Sequence, residues 1–530
     1  MTVAAPGSLD RDERTIVAQL RAGWFGVPDA SSHWLTRFAF LRGLGFIYLI
    51  AFVSLALQLE GLIGSRGILP ATWFLERLRA TEGAPGFWRL PSLFWLDSSD
   101  GFLLAAAWIG VVLSAVVLAG FANAPLLASL WFLYMSFVHV GQIFYGYGWE
   151  ILLLETGFLA IFLAPPWKLG PLAGSVPPAA VVWLLRWLAF RLMFGAGLIK
   201  IRGDACWTDL TCLVYHYETQ PNPNPLSFWL HRAPPWFHAA GVLFNHFVEL
   251  IAPWGVFGPR RVRHVAGVLL VVFQVILILS GNLSFLNWLT IVVCLSCFDD
   301  SLLERLVPRA FRARVRGKIE ALARGPGIPK LRRVIVTGLV LVVAVLSLNP
   351  IVNMLSPRQA MNASFDPLHL VNTYGAFGSV GKERYEVVIE GTLAEIPDEH
   401  AEFRAYEFHC KPGDPRRRPC WAGPYHHRLD WQMWFLALGT LGREPWAMSL
   451  AYRLLQGEGS VTGLVRSNPF PDRPPRYVRA TYYRYRFARP FEPDGAWWRR
   501  ELVGEYFRPL SREDPELRRF LLRHGWRGTP

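Results

Sequence analysis

Charged residues are scarce in this chain of 530 residues. Asp, Glu, Lys and Arg make up 18% of it, while hydrophobic residues make up 52% and aromatic residues 14%. An ordinary soluble domain is charged at about a quarter of its positions, so this composition excludes one. It is typical of a chain that lies largely in a membrane, because each spanning helix needs about 20 consecutive, mostly apolar residues.

Long apolar runs are absent after residue 353, and the N-terminal region lacks a short apolar run that ends in a cleavage site of small residues. The first run, FAFLRGLGFIYLIAFVSLAL, is long enough to stay in the membrane, so we expect an uncleaved signal anchor after a cytoplasmic segment, 1–35. The runs predict a polytopic α-helical membrane bundle of about nine helices within 36–353. The helices are expected near 38–58, 102–121, 125–144, 149–165, 179–199, 234–257, 264–281, 284–299 and 333–353.

The formal net charge of +14 could indicate a nucleic-acid-binding protein. The basic residues, however, form two clusters directly between apolar runs, GPRRVRH (258–264) and ERLVPRAFRARVRGK (304–318). Cytoplasmic loops of membrane proteins carry such clusters. We therefore predict no nucleic-acid partner. We also predict that the loops 61–100 and 200–233 and the C-terminal region 354–530 face the exoplasmic side, in the ER lumen of a eukaryote or the periplasm beside a bacterial inner membrane.

Cysteine is scarce as well, and the six residues form three close pairs. The pairs are Cys206 with Cys212, Cys410 with Cys420, and Cys294 with Cys297. The first two lie in segments predicted to face an oxidising compartment, so we expect two disulfides. The third has CxxC spacing inside an apolar run, and we interpret it as a pair of buried thiols.

The region after residue 354 has frequent charged residues and strand-like runs, which predict an α+β, β-rich exoplasmic domain. Strands are expected at 384–392, 402–410 and 476–488, and helices at 426–438 and 444–456. Its many tryptophans are expected in the core or at the membrane interface, and a partner surface is the alternative. These tryptophans are Trp431, Trp434, Trp497 and Trp498.

Ionisable residues also occur inside the apolar runs, where burial in lipid is costly and indicates a role. They are Glu150, Glu155, Arg186, Arg191, His238, His246 and Glu249. We expect a buried polar cluster in which the two arginines pair with glutamates of other helices. A polar cavity is an alternative. A metal site is not predicted, because His246 and Glu249 share a helix face without a visible third ligand.

The stretch GLIKIRGDACWTDLTCLVYHYETQPNPNPLSFWL (197–230) concentrates polar chemistry at the end of an apolar helix. It is interpreted as a structural anchor, as a surface that binds a client protein, or as a catalytic site. Transport or lipid handling is a further alternative, disfavoured because no repeated half with broken helices is visible. The residues assigned to a binding surface are Lys200, Arg202, Asp204, Trp207, Tyr215, His216, Tyr217, Glu218 and Gln220.

As an anchor, Lys200 and Arg202 would extend to the membrane interface, Asp204 would pair with Arg202, and Trp207 and the two tyrosines would lie at headgroup depth. As a catalytic site, Lys200 would act as a base, assisted by His216 and Glu218.

This stretch resembles the central signature of the lipase maturation factor family, and other motifs fit the same family in order along the chain. They are GLIGSRGILP (61–70), GWEILLLETGFLAIFLAP (148–165), LVNTYGAFGSV (370–380), ERYEVVIEGT (383–392), PYHHRLDWQMWFLAL (424–438), NPFPDRPPRYVRATYYRYRF (468–487) and WWRRELVGEY (497–506).

The resemblance implies a membrane-bound, chaperone-like maturation factor that assists secreted client proteins such as lipases and uses no cofactor. The membrane part is also distantly similar to vitamin K-dependent gamma-carboxylases, in which a lysine at the exoplasmic end of a helix is a base. That similarity implies the alternative of a membrane-embedded enzyme with Lys200 as base.

Overall fold

The computed structural model describes residues 33–83, 85–170, 175–324, 327–523 and 526. Almost all of the predicted cytoplasmic segment 1–35 therefore lies outside the described residues. The domain boundaries and the sidedness proposed from the sequence stay predictions.

As far as residue 355, the described chain consists of α-helices joined by turns, short 3₁₀ helices and loops. In chain order they are α1 (Trp34–Ala56), α2 (Leu59–Ile63), α3 (Ala71–Glu82), α4 (Pro85–Arg89), α5 (Asp100–Ala119), α6 (Ala124–Val140), α7 (Gly148–Leu163), α8 (Ala179–Gly203), α9 (Ala205–Thr208), α10 (Cys212–Thr219), α11 (Pro225–Leu230), α12 (Pro235–His246), α13 (Arg260–Ser280), α14 (Leu286–Cys294), α15 (Asp300–Leu306), α16 (Arg309–Ala323), α17 (Lys330–Leu346) and α18 (Leu348–Leu355). Helix α12 continues through one π-helical turn (Phe247–Ile251) and a 3₁₀ segment (Ala252–Phe257).

Six of these helical segments are long and apolar enough to cross a membrane. They are α1, α5, α8, α12 with its extension, α13, and α17 with α18. Helices α6 and α14 are shorter and apolar, and α7 has 16 residues with two glutamates. Each of the nine predicted spans thus coincides with a helix, and the prediction of a polytopic helical bundle is confirmed.

Local capping contacts mark some of the helix ends. The buried carboxylate of Asp300 accepts hydrogen bonds from the first amides of α1, those of Trp34 at 3.0 Å and Leu35 at 2.8 Å. Burial raises the pKa of Asp300 to about 6. Asn123 caps α6 through the amide of Leu126 at 3.0 Å, and α5 ends at Gly120, whose φ of 107° suits glycine.

The C-terminal region is an α+β domain, as predicted. Its strands are β1 (Arg384–Thr392), β2 (Arg404–Ala405), β3 (Tyr477–Phe487) and β4 (Trp498–Ser511), and its helices are α19 (Arg428–Leu438), α20 (Trp446–Gln456), α21 (Gly459–Thr462) and α22 (Pro515–Arg523). The sheet is antiparallel with strand order β2-β1-β3-β4.

Two strands differ from the sequence prediction. The expected strand 402–410 shrinks to two residues. After Tyr406 the chain leaves β1, because the amide of Glu407 donates to the carbonyl of Ser467 at 3.2 Å, and the amides of Cys410 and Lys411 then donate to the Asp430 carboxylate at 2.6 and 2.9 Å. Strand β4 was not predicted, because it lies at a sheet edge with most side chains exposed and therefore lacks alternation.

The hydrophobic core continues from the membrane helices into the C-terminal domain. Phe144, in the turn before α7, faces Trp446 with ring centroids 6.3 Å apart, and Tyr147 faces Trp431 at 5.8 Å. Trp431 and Trp498 are buried, and Trp434 and Trp497 are partly buried. The two regions are therefore packed together rather than linked by a free segment.

Candidate functional site

The polar stretch 197–230 forms the last turns of α8 and the short helices α9, α10 and α11. It lies between the ends of membrane helices and the C-terminal domain. Helix α8 passes so close to the segment after α18 that a Cβ at Gly203 would collide with the backbone of Gly378. Cys206 and Cys212 form a disulfide across the first turns, and Cys410 and Cys420 form the second, so both predicted disulfides are confirmed.

Lys200 is buried in an ion pair. Its Nζ donates to both carboxylate oxygens of Glu249 at 2.7 and 2.8 Å and to Asn245 Oδ1 at 2.9 Å, and the residue is 5% exposed. The predicted extension of Lys200 to the membrane interface is therefore wrong, because a carboxylate on the facing helix satisfies the ammonium inside the protein. Glu249 lies in the π-helical turn, a feature often found at functional positions.

Arg202 and Asp204 do not pair, which corrects a second expectation. Arg202 Nη1 donates to the carbonyls of Met354 and Ser356 and to Gln359 Oε1 at 2.8 to 3.2 Å. Asp204 instead caps α9 by accepting from the amide of Cys206 at 3.0 Å. Both side chains therefore fix backbone segments.

Trp207 is buried rather than placed at headgroup depth, which corrects a third expectation. Its indole Nε1 donates to the carbonyl of Phe377 at 2.9 Å, and its own carbonyl lies 3.0 Å from Nε2 of His246. The ring packs with both cysteines of the first disulfide. Lys200 Nζ lies 5.0 Å from the ring centroid, a cation–π contact. Trp207 thus joins α8, α12 and the segment around 377.

His216 and Tyr217 are buried on α10, and Tyr215 is half-buried. Burial, helped by the charge of Lys200, lowers the pKa of His216 to about 4, so the imidazole is neutral near pH 7. Its ring contacts Phe377 edge-on at 4.8 Å. Burial raises the pKa of Tyr217 to about 12.

Glu218 and Gln220 connect the loop to other elements. Glu218 Oε2 accepts from the amide of Phe487 at 2.7 Å, at the end of β3. Gln220 Nε2 donates to Ser227 Oγ at 3.0 Å and to the carbonyl of Ser280 at 2.9 Å, at the end of α13. Six of the nine residues assigned to a binding surface are buried, so their contacts lie inside the protein: Lys200, Trp207, His216, Tyr217, Glu218 and Gln220.

Arg384 is a positioning residue that the sequence did not predict. Its guanidinium is buried and donates to the carbonyls of Glu218, Gln220 and Pro221, two of these bonds measuring 2.8 and 2.9 Å. Glu386 pairs with it at 2.6 Å. Since residues two apart share a strand face, an Arg–Glu pair in a predicted strand was the available signal.

The buried charges of α7 and α8 form separate pairs rather than one cluster. Glu155 accepts from Arg191, from the amide of Asn372 at 2.9 Å and from the Tyr374 hydroxyl at 2.7 Å. Arg186 is not paired with a glutamate in the described chain, and its Nε donates to the carbonyl of Ser296 at 2.9 Å.

Glu150 pairs with the C-terminal domain, which the sequence did not predict. Its Oε1 accepts from Arg428 Nη1 at 2.6 Å and from the indole of Trp149 at 3.0 Å, and Oε2 accepts from the Tyr134 hydroxyl. Glu150 and Arg428 are fully buried.

Cys294 and Cys297 are buried free thiols. Among the described residues, no three His, Cys, Asp or Glu side chains are grouped so that they could hold a metal ion. His246 contacts the carbonyl of Trp207, and Glu249 is engaged by Lys200.

The fold and this polar site define an integral membrane protein in which a C-terminal α+β domain is fixed by buried charges to the ends of the membrane helices. The family model for the lipase maturation factor transmembrane domain matches residues 35–305, and that for the lipase maturation factor C-terminal domain matches 370–508. The chain belongs to the lipase maturation factor family, which confirms the resemblance of its motifs.

Relatives match over nearly the whole length. Lipase maturation factor 1 of Bos taurus is 48% identical over 98% of this chain and 95% of its own. The Homo sapiens protein of that name is 47% identical over 93% of this chain and 90% of its own. Lipase maturation factor 2 of Homo sapiens is 33% identical over 93% and 85%. No solved structure matches the chain.

Proposed function

We propose that this protein is a membrane-bound maturation factor that holds secreted client proteins while they fold, with lipases as the first clients to test. The observation that carries the proposal is the 48% identity to a lipase maturation factor 1 over 98% of this chain. The similarity extends through the membrane helices, the polar loop and the C-terminal domain. The basic clusters support a lumenal or periplasmic C-terminal domain, in the ER membrane or a bacterial inner membrane.

The client surface is proposed at the exposed rim of the loop 200–233. Arg202 and Asp209 are exposed there, and Tyr215 is half-buried, with Lys382 Nζ 6.0 Å from its ring centroid. Buried contacts below the rim hold it rigid, and a rigid surface loses little conformational freedom when a partner binds. The rim combines both signs of charge with an aromatic ring, which suits the mixed surface of an incompletely folded protein.

The test is a crosslinking pull-down of the tagged protein from cells that secrete a lipase and lack their own maturation factor. The ratio of secreted lipase activity to lipase mass is measured in parallel. Wild type is compared with Asp209→Arg and Tyr215→Ala, and Glu399→Arg is the matched control because it reverses an exposed acid away from the rim. We expect both rim variants to lower client recovery and specific activity at unchanged expression. Equal recovery with all four proteins would contradict the proposed surface.

A second candidate is a membrane-embedded enzyme with Lys200 as base. The observation that favours it is that ionisable groups surround Lys200. Glu249 lies 2.7 Å from Lys200 Nζ, and the charge of Lys200 helps to lower the pKa of His216. Against it, Nζ donates to three acceptor atoms, whereas a base needs a free lone pair.

The two functions differ in their response to Lys200→Arg. A scaffold keeps most of its lipase maturation, because arginine can still donate to Glu249. An enzyme loses all of it at unchanged expression, because a guanidinium stays protonated. Complete loss with a normally folded variant would favour the enzyme.

A further inference from the structure

The connection between β3 and β4 carries an exposed aromatic side chain at its tip. Phe491 lies in the segment 488–497, is 91% exposed and has a φ of 61°. A bulky residue in the left-handed region costs about 1–2 kcal/mol in backbone strain. An exposed Phe in a conformation that favours glycine contributes nothing to the core of this domain, so its side chain indicates a contact outside the protein.

The tip lies against Trp229 of α11, with ring centroids 5.9 Å apart. Beneath this contact Arg232 donates to the carbonyls of Ala488 and Phe228 and lies over the Phe228 ring at 3.7 Å. The tip is therefore fixed to α11 rather than free.

Helix α11 is placed at the ends of two membrane helices. Asn224 Nδ2 donates to the carbonyl of Leu279 at 3.0 Å, and Ser227 Oγ donates to that of Ser280 at 3.0 Å, in the last turn of α13. Trp236, 70% exposed, lies in the first turn of α12. Both α12 with its extension and α13 are long and apolar enough to span the membrane. The Phe491–Trp229 contact thus lies beside the ends of these two helices.

We propose that the β3–β4 tip contacts the bilayer, with Phe491, Trp229 and Trp236 inserted among the lipids at headgroup depth on the side of the C-terminal domain. Aromatic side chains are enriched at this depth, and Arg489, which is exposed beside the tip, can meet a lipid phosphate. The C-terminal domain would then be a membrane-associated domain with two attachments, one through the bundle and one through the lipid. This inference is independent of the client proposal.

The test places an environment-sensitive fluorophore at the tip. Phe491→Cys is labelled with a nitrobenzoxadiazole probe in the full chain, in which Cys294→Ala and Cys297→Ala remove the free thiols. The protein is reconstituted in phosphatidylcholine vesicles that contain lipids with a doxyl quencher near the headgroup or near the chain end. Ile396→Cys is the control. Ile396 is 69% exposed, and it follows the end of β1 that lies away from the β3–β4 tip.

We expect the probe at 491 to show blue-shifted emission and to lose more than half of its intensity with the shallow quencher, and less with the deep one. The probe at 396 should keep its intensity with both. Equal intensity at 491 with and without quencher would overturn the proposal, as would stronger quenching by the deep doxyl group. Equal quenching at positions 491 and 396 would also overturn the proposal, since the tip would then be no closer to the lipid than the control position.

Discussion

The membrane region and the C-terminal domain both bury carboxylates, but they satisfy them differently. In the C-terminal domain, Glu386 pairs with Arg384 at 2.6 Å and with Lys411 at 2.8 Å, so both cations come from the same domain. In the membrane region, the cation of Glu150 is Arg428 of the other region, at 2.6 Å. The charge of Glu150 therefore depends on docking of the C-terminal domain, whereas Glu249 pairs with Lys200 of the membrane region itself.

The two glutamates of α7 show how far this dependence extends. Glu155 has a cation of the bundle itself, Arg191, but its other oxygen accepts from the amide of Asn372 in the segment that leads to β1. A buried carboxylate without partners costs several kcal/mol. The docked C-terminal domain and the segment before it thus supply hydrogen-bond partners to carboxylates buried in the bundle. This explains why the two regions share one core.

The largest expected effect comes from breaking the docking pair. Arg428→Met leaves Glu150 buried without its cation and should destabilise the protein by about 3–5 kcal/mol. The measurement is the thermal unfolding midpoint in detergent, together with the rate at which a protease releases the C-terminal domain.

The control is the double variant Arg428→Met with Glu150→Gln, which also removes the unpaired charge. It should recover much of the lost stability, because coupled sites make the loss in the double variant smaller than the sum of the two single losses. A double variant as unstable as Arg428→Met alone would show that Arg428 acts through packing.

A smaller effect is expected at Arg384, the buried arginine that pairs with Glu386 in the C-terminal domain. Arg384→Met removes the donor to three loop carbonyls, but Glu386 keeps Lys411, so the cost should be about 1–3 kcal/mol. Hydrogen–deuterium exchange of residues 212–230 should rise. Arg479→Met is the control on the same sheet, since its pair with Glu390 is partly exposed, and a cost above about 1 kcal/mol there would contradict the comparison.

Protonation of His216 should loosen the same loop. Its folded pKa of about 4 is below the ordinary 6.5, so the unfolded loop binds the proton more tightly and stability falls as pH falls through that window. Between about pH 7 and pH 5 the loop should lose about 2 kcal/mol of local stability. The measurement is exchange of residues 205–220 in wild type against His216→Gln, whose pH slope should be smaller; equal slopes would assign the effect to other histidines.

The sequence predicted the helices well because each apolar run is long and continuous in the chain. It also predicted both disulfides, since the pairs are close in the chain. It did not predict the partners of the charges: Lys200 to Glu249 and Glu150 to Arg428 are separated by 49 and 278 residues. A single sequence does not show which residues so far apart in the chain form a pair. The edge strand β4 was missed for a different reason, because its exposed residues do not alternate.

The smallest expected effect is at Phe491, where the C-terminal domain is proposed to touch lipid. Substitutions there should separate membrane contact from stability. Phe491→Gly relieves the left-handed strain and removes an exposed ring, so in detergent it should raise stability by up to about 1 kcal/mol. In vesicles the same substitution should make the segment 488–497 more accessible to a protease, because the lipid contact is lost. Phe491→Trp should keep that protection without gaining stability, since it retains an aromatic ring and the strained backbone. A loss of stability in detergent on Phe491→Gly would mean that the contact of the ring with Trp229 outweighs the backbone strain. Unchanged protease accessibility of the segment 488–497 in vesicles would mean that the C-terminal domain is attached through the bundle alone.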